Sequence, residues 1–394
     1  MIGTKKNLMF SICFIVIFIC AFLYMNKSPD IYDYADVLTE TAVSAELTQV
    51  TETIIADTTD TIKKTEIYEL NYDPEDYPEF LQSGRYYKQL QLREILFSAV
   101  GDLTLASNYS KSYKGSFYEY YDLYGPGYFM ENVAHIFETS DCVIANLECA
   151  LTDNQDPGIR RGSIYSYKGY TKYTDIIKAG HIDVVNLANN HSFDYSQEGY
   201  DDTTAALDAA GIDYFGNGTV LIKEINGIKI GFVGSVGTYY TSAVKDGLDY
   251  LAANNVEIKI VVFHWGNMDE RVANSSQVSV GHYAIDCGAD LVIGHHPHVL
   301  QGIEKYKGKY IAYSIGNFIF DGNVISDIEN RTSVIFQQRF VLYGSEIVDS
   351  SINIIPILVT SNAGVNNFKP KLAEGSQKDD ILNKINARSA GYNP

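Results

Sequence analysis

The sequence predicts an α/β fold, and three observations predict it. From Glu94 onward, short apolar runs alternate with segments of helical spacing. The runs are rich in Val, Ile and Leu, the composition of buried parallel strands. Several runs end in glycine, asparagine or a residue able to carry a proton or a metal. In a parallel or mixed sheet such strand ends share one edge, so residues far apart in sequence converge there.

Taken in order, Ile95 to Val100 reads as a strand ending in Gly101-Asp102. Phe129 to Phe137 has helical spacing, and Cys142 to Ala145 is a strand leading to Asn146-Leu147-Glu148. Tyr173 to Ala179 is a helix. Asp183 to Leu187 is a strand ending in Asn189-Asn190-His191, and Gln197 to Ala210 is a helix stopped by Gly211. Ile222 to Val233 is a hairpin turning at Asn226-Gly227, the pair favoured in type I′ turns. Glu257 to Phe263 is a strand followed by His264-Trp265-Gly266, and Gln277 to Cys287 is a helix. Leu291 to Ile293 is a strand, and Gly294 after it permits a turn. Tyr310 to Ser314 is a strand before Gly316-Asn317-Phe318. Ser333 to Leu342 and Ile347 to Val359 suggest a flanking sheet. Residues 369–394 read as a polar, peripheral tail.

The first 93 residues differ in kind. Leu8 to Met25 is apolar and uncharged, and as a helix spans about 27 Å, near the roughly 30 Å of a bilayer core. Lys5 and Lys6 precede it; Lys27 follows, but Asp30, Asp33 and Asp36 come soon after. The expectation is one N-terminal transmembrane helix, residues 1–27, with the N-terminus cytoplasmic and the main domain extracytoplasmic at the cell membrane. A cleaved signal peptide is the competing reading. No small-x-small pattern follows the apolar run, and Ile19 is too large for a lipoprotein site at Cys20. Residues 28–93 are acidic and threonine-rich, a linker and collar before the domain at 94–368.

The chain has 394 residues, is 46% hydrophobic and carries a formal charge of -19, which argues against nucleic acid as a partner. Five cysteines lack any C-x-x-C spacing, so neither a cysteine-zinc site nor a disulfide framework is expected.

Three of only eight histidines fall within His295 to His298. His296 and His298 flank Pro297, whose fixed φ stiffens the pair. Imidazoles on one stiff loop lose little freedom on binding a metal. The strand ends then assemble Asp102, Glu148, Asn190, His191, His264, His296 and His298. Carboxylate, amide and imidazole suit zinc, manganese or iron. Trp265-Gly266 could pack behind His264, and Asp194 could orient His191. Each residue alone has a structural explanation, as turn residue, cap or core histidine. Their joint placement at successive strand ends points to metal binding. His135, His181 and His282 lie elsewhere and read as satisfied core histidines.

The blocks GDLTL, NLECALT, NLANNHSFDYSQEG, HWG, GADLVIGHHPHVLQG and YSIGNFIF, in order over Ile95 to Phe320, resemble the capsule-synthesis CapA family, linked to poly-γ-glutamate. The resemblance implies a variant of the calcineurin-like metallophosphoesterases, a four-layer αββα sandwich with a two-metal centre. It implies Asp102, Glu148, Asn190, His264, His296 and His298 as ligands, with Glu148 in the bridging position. It implies His191 as general acid or transition-state stabiliser, aided by Asp194, with Asn317 and Asn189 toward substrate. One departure stands out: Thr104 occupies the place where those phosphoesterases carry a histidine, so one metal position loses a ligand. The expected cofactor is one or two divalent ions, Mn, Zn or Fe. The expected activity is hydrolysis or transfer on an envelope polymer, poly-γ-glutamate or a related one. A non-catalytic assembly or export subunit, working with other membrane subunits of a polymer synthase, is the alternative. A general metallophosphodiesterase is a third reading.

Overall fold

A computed structural model describes residues 92–108, 110–156, 165–239, 241–322 and 327–392. All belong to the compact unit Arg85–Pro394. The expected anchor and the linker, apart from Leu92 and Arg93, lie outside the described residues. Among the described residues no helix is long and apolar enough to cross a membrane.

Two sheets carry the fold. The first contains β1 (Leu92–Leu103), β2 (Cys142–Leu147), β5 (Val184–Asn186), β6 (Asp213–Phe215), β13 (Asn317–Ile319), β14 (Thr332–Tyr343), β15 (Glu346–Leu358) and β16 (Lys371–Leu372). Its order is β16-β15-β14-β1-β2-β5-β6, with β13 also paired to β1. The second contains β7 (Leu221–Ile225), β8 (Ile228–Val236), β9 (Ile258–His264), β10 (Leu291–His295), β11 (Ile303–Tyr306) and β12 (Lys309–Ala312), in the order β11-β12-β10-β9-β8-β7. A third, two-stranded sheet joins β3 (Ala150–Leu151) to β4 (Lys168–Gly169). In each large sheet the central strands run parallel: β13, β1, β2, β5 and β6 in one, β8, β9, β10 and β12 in the other.

Side-chain alternation along these strands builds three cores. Ile95 and Phe97 of β1, Cys142 and Ile144 of β2, Ile258 and Ile260 of β9, and Leu291 and Ile293 of β10 fill the space between the two sheets. Val143 and Ala145 instead face the helices Phe117–Tyr124 and Thr174–Ala179. Val261, Phe263 and Val292 face the helices Thr241–Ala253 and Ser275–Asp286. The layers therefore run helix, sheet, sheet, helix.

Several local expectations change. The residues from Lys369 on are not a peripheral tail. They supply β16 and the helix Gly375–Ser389, whose Ile381 and Ile385 are buried in the core between the sheets. The two isoleucines at i, i+4 dock an otherwise polar helix together with Arg388, which bonds Leu300 O and Glu329 at 2.6 Å each. Gly294 is not at a turn but within β10. A Cβ there would lie 2.0 Å from Tyr313 O and 2.4 Å from Trp265 Nε1, so the glycine permits close strand packing. The hairpin turn is as expected, with Asn226 and Gly227 both at positive φ. The histidines expected in the core are not: His135 and His181 are exposed and His282 is half-buried, bonded to Glu304 at 2.8 Å.

Candidate metal centre

The parallel strands end on a common edge, and their register puts polar residues in rows. Asn317, Asp102, Asn146 and Asn186 are neighbours across β13, β1, β2 and β5. His264 and His295 are neighbours across β9 and β10. The period of two aims them. Cys142, Ile144 and then Asn146 face the opposite sheet, as do Ile260, Val262 and His264, and Leu291, Ile293 and His295. Trp265, one step on from His264, turns outward, stacks on Phe263 at 4.3 Å and donates to Tyr313 O at 2.9 Å. Asp102 reaches the inter-sheet face through an irregularity between Ala99 and Asp102, a bulge that re-aims the strand end.

Asp102 and Glu148 are both fully buried. Asp102 Oδ1 accepts from Asn146 Nδ2 at 2.8 Å and lies 3.0 Å from His295 Nδ1; its Oδ2 lies 3.2 Å from His298 Nδ1. Burial alone would raise its pKa, but the contacts with His295 and His298 outweigh that and hold it well below the usual carboxylate range. For Glu148, burial and the charge of Asp102 push upward, yet His298 and His264 bring it below its ordinary value. Glu148 Oε1 lies 3.3 Å from His264 Nε2, and Oε2 lies 4.0 Å from His298 Nδ1.

On the imidazole side, His296 Nδ1 and His264 Nε2 are 3.1 Å apart. His296 and His298 both adopt positive φ, 94° and 59°, on either side of Pro297. Such backbone is costly for a non-glycine residue and tends to mark functional sites. Burial, with His264 and His298 beside it, pushes His296 down to about 4. His298 goes the other way: burial opposes its charge, but Glu148, Asp102 and the bond to Asn317 lift it to about 9.

His191 stands beside this cluster with Nε2 4.0 Å from Glu148 Oε1. Its Nδ1 is 2.7 Å from Asp194 Oδ2, as the sequence reading expected of an orienting carboxylate. Burial lowers the His191 pKa, but the bond to Asp194 and the charge of Glu148 raise it by more. Tyr167 meets His191 edge-on at 4.8 Å, and Phe320 stacks on His298 at 4.5 Å. These two buried rings wall one side of the cluster.

The structure brings six sequence-predicted residues together: Asp102, Glu148, His191, His264, His296 and His298. Three asparagines are placed differently, Asn189 among them: expected toward substrate, it is buried and its amide is bonded to Leu147 O, Asn146 and the His191 N–H. Asn190, expected as a ligand, is exposed, and its neighbour Asn189 points inward, donating to Leu147 O at 2.8 Å. Asn317, expected to contact substrate, is fully buried; its Nδ2 donates to His298 O at 3.0 Å and its Oδ1 lies 3.0 Å from His298 Nδ1. It positions a histidine. Sequence reasoning passed over Asn146, Asn186 and His295, although the alternation along β2, β5 and β10 points each of them at the site.

Two triads have ligand atoms close enough to share an ion: Asp102, Glu148 and His298, and Glu148, His264 and His296. Glu148 belongs to both. Neither of its carboxylate oxygens has a hydrogen-bond partner, and the buried Thr104 hydroxyl is likewise unpartnered. An ionised carboxylate buried in this way needs positive charge beside it; His298, lifted to about 9, supplies some, and a divalent ion between the triads would supply more. The donor set fits a divalent ion such as zinc, manganese or iron.

The geometry thus defines a candidate metal centre in which one glutamate is common to two ligand triads at the joint edge of two sheets. A family described as bacterial capsule synthesis protein PGA_cap matches residues 96–322, over half of the chain, and the chain belongs to that family. The capsule biosynthesis protein CapA of Bacillus anthracis is 26% identical over 328 residues, 75% of this chain and 77% of that protein. The PGA biosynthesis protein CapA of Bacillus subtilis (strain 168) is 31% identical over 214 residues, covering 48% of this chain and 56% of its own. A crystal structure of a hypothetical protein from Thermus thermophilus aligns with a TM-score of 0.42 at 17% identity, over 66% of this chain and 99% of that one.

Proposed function

We propose that this chain is a membrane-anchored, extracytoplasmic, metal-dependent hydrolase or transferase that acts on an envelope polymer, poly-γ-glutamate or a related one, in capsule biosynthesis. The observation that carries the metal-dependent part is Glu148, a fully buried carboxylate without a hydrogen-bond partner that belongs to both ligand triads. The family and the capsule names of its relatives support the biological setting. The apolar stretch Leu8 to Met25 supports the anchor. The helix–sheet–sheet–helix layering supports a metallophosphoesterase-like fold.

When bound, a divalent ion polarises an acyl or phosphoryl oxygen and lowers the pKa of a water beside it. Asp102, Glu148, His264, His296 and His298 would hold it. His191 would hold a proton at Nε2 for the leaving atom, with Asp194 fixing the ring through Nδ1. Tyr167 and Phe320 exclude water from one side of the site.

Elemental analysis of the purified chain tests this reading. Bound metal, lost in the double variant His296→Ala/His298→Ala, is expected. No metal in the parent after reloading with manganese or zinc would overturn it. Thr104 favours a second reading, a non-catalytic assembly or export subunit that keeps a relic metal site. His191→Ala separates the two, because a catalytic role requires loss of polymer processing in a folded chain.

A further inference from the structure

The short strand β4 begins beside His191 and carries a lysine. Tyr167, just before it, meets the His191 ring at 4.8 Å and gives its backbone N–H to Asp194 Oδ2 at 2.8 Å. That oxygen is the one 2.7 Å from His191 Nδ1. The next residue, Lys168, is flanked by two tyrosine rings. Its Nζ lies 5.3 Å from the centroid of Tyr170 and 5.7 Å from that of Tyr195, the residue after Asp194. Tyr118 Oη donates to Lys168 O at 2.8 Å and fixes the backbone there. The ammonium is thus tied on both sides to the residues that hold His191.

A lysine ammonium has three donors and no acceptor. Lys168 Nζ donates to Asn154 O at 3.0 Å, and among the described residues it has no carboxylate partner. The acid whose charge reaches it, Asp153, is committed to Thr171, accepting its N–H at 3.3 Å and its hydroxyl. Lys223, Lys309 and Lys369, half-buried like Lys168, each pair with a carboxylate: Asp213, Asp290 and Glu131. Partial burial of a charge costs free energy that one carbonyl and two ring faces only partly return. Two N–H groups of Lys168 are left for an anion. A second ammonium borders the same ring. Lys172 Nζ lies 5.7 Å from the Tyr170 centroid and 4.6 Å from that of Tyr121. Lys172 is exposed, and Asp122 stands off at 3.7 Å. From His191 outward the order is Tyr167, Lys168, Tyr170, Lys172. Separated cations joined by a ring suit a polymer that carries one carboxylate per repeat; a neutral polymer has no use for the ammoniums.

Resting on the polymer reading above, we propose that Lys168 binds a carboxylate of the polymer strand, as the inner member of a subsite whose outer member is Lys172. The subsite holds the strand beside His191 and selects a polycarboxylate over a neutral polymer.

The test is fluorescence anisotropy of a labelled γ-glutamyl oligomer titrated with the metal-free, full-length chain, with unlabelled dextran as competitor. The parent should bind the oligomer, and dextran should not displace it. Lys168→Met keeps the apolar stem and removes the charge, and should weaken binding about tenfold with urea unfolding nearly unchanged. A merely structural role would do the reverse, lowering the urea midpoint and sparing affinity. Lys168→Arg should restore most of the affinity. Lys172→Met should cost only about two- to threefold, because its charge is exposed. Unchanged affinity in Lys168→Met, an equal loss in Lys168→Arg, or displacement by dextran overturns the proposal. Acetylation of the parent, read by mass spectrometry, guards against variants that fail to fold. The oligomer should protect Lys168 and Lys172 but not Lys178, exposed on the helix Thr174–Ala179. Equal labelling with and without oligomer overturns the subsite. A parent that holds metal yet binds no oligomer overturns the subsite alone. A parent that binds the oligomer through Lys168 yet takes up no metal overturns the metal-dependent chemistry and leaves the subsite standing.

Discussion

The two sheets contribute different chemistry to one edge. The first supplies carboxylates and amides, Asp102, Asn146, Glu148 and Asn186; the second supplies imidazoles, His264, His295, His296 and His298. Neither edge forms a ligand triad alone. The carboxylate edge is set by strand alternation and one bulge. The imidazole edge ends in a loop with strained backbone at His296 and His298. The difference teaches that the inter-sheet core is what makes the site, because it sets the distance between unlike ligands.

The sharpest way to break this contrast is to remove the shared carboxylate. Glu148→Ala should strip metal from both triads, whereas His296→Ala should spare the triad of Asp102, Glu148 and His298; elemental analysis would show equal losses if the triads were not distinct. His191 is the exception to the division, an imidazole on the carboxylate side. Its replacement by alanine should leave metal content unchanged yet slow polymer processing by about a hundred- to ten-thousand-fold. Metal loss in that variant would make it a ligand instead. Ile381→Ala takes a fully buried side chain from the helix that closes the space between the sheets. We expect a loss of roughly 2–5 kcal/mol in urea unfolding; no change would mean the C-terminal helix does not hold the sheets together.

The smallest effect is on pH, and it belongs to the imidazole edge. Asp102 and Glu148 are held below their ordinary values and stay ionised near neutrality. His298, lifted to about 9, is protonated there and must lose that proton to bind an ion. Metal affinity should therefore rise as pH climbs toward 9, by at most about tenfold per unit for one proton, and level off above. A flat profile between neutrality and pH 9 in a competition assay would remove His298 from the ligand set.

Much of this site was legible in the chain itself. Short apolar runs told where strands lie, and a strand turns its side chains to alternate faces with a period of two. Residues that keep that period, Glu148 after β2 and His264 at the end of β9, face the site for the same reason that the apolar residues before them face the core. Asn146, Asn186 and His295 obey the same rule and could have been read from it. Beyond strand ends the period stops, and turn dihedrals decide which way a side chain points. Only the tertiary structure could choose Asn189 over Asn190, turn Asn317 from substrate toward His298, and dock the polar helix Gly375–Ser389 by two isoleucines and Arg388. A sequence states which groups are available at a sheet edge. Their separation and hydrogen-bond direction arise from packing one sheet on another, which no local pattern encodes.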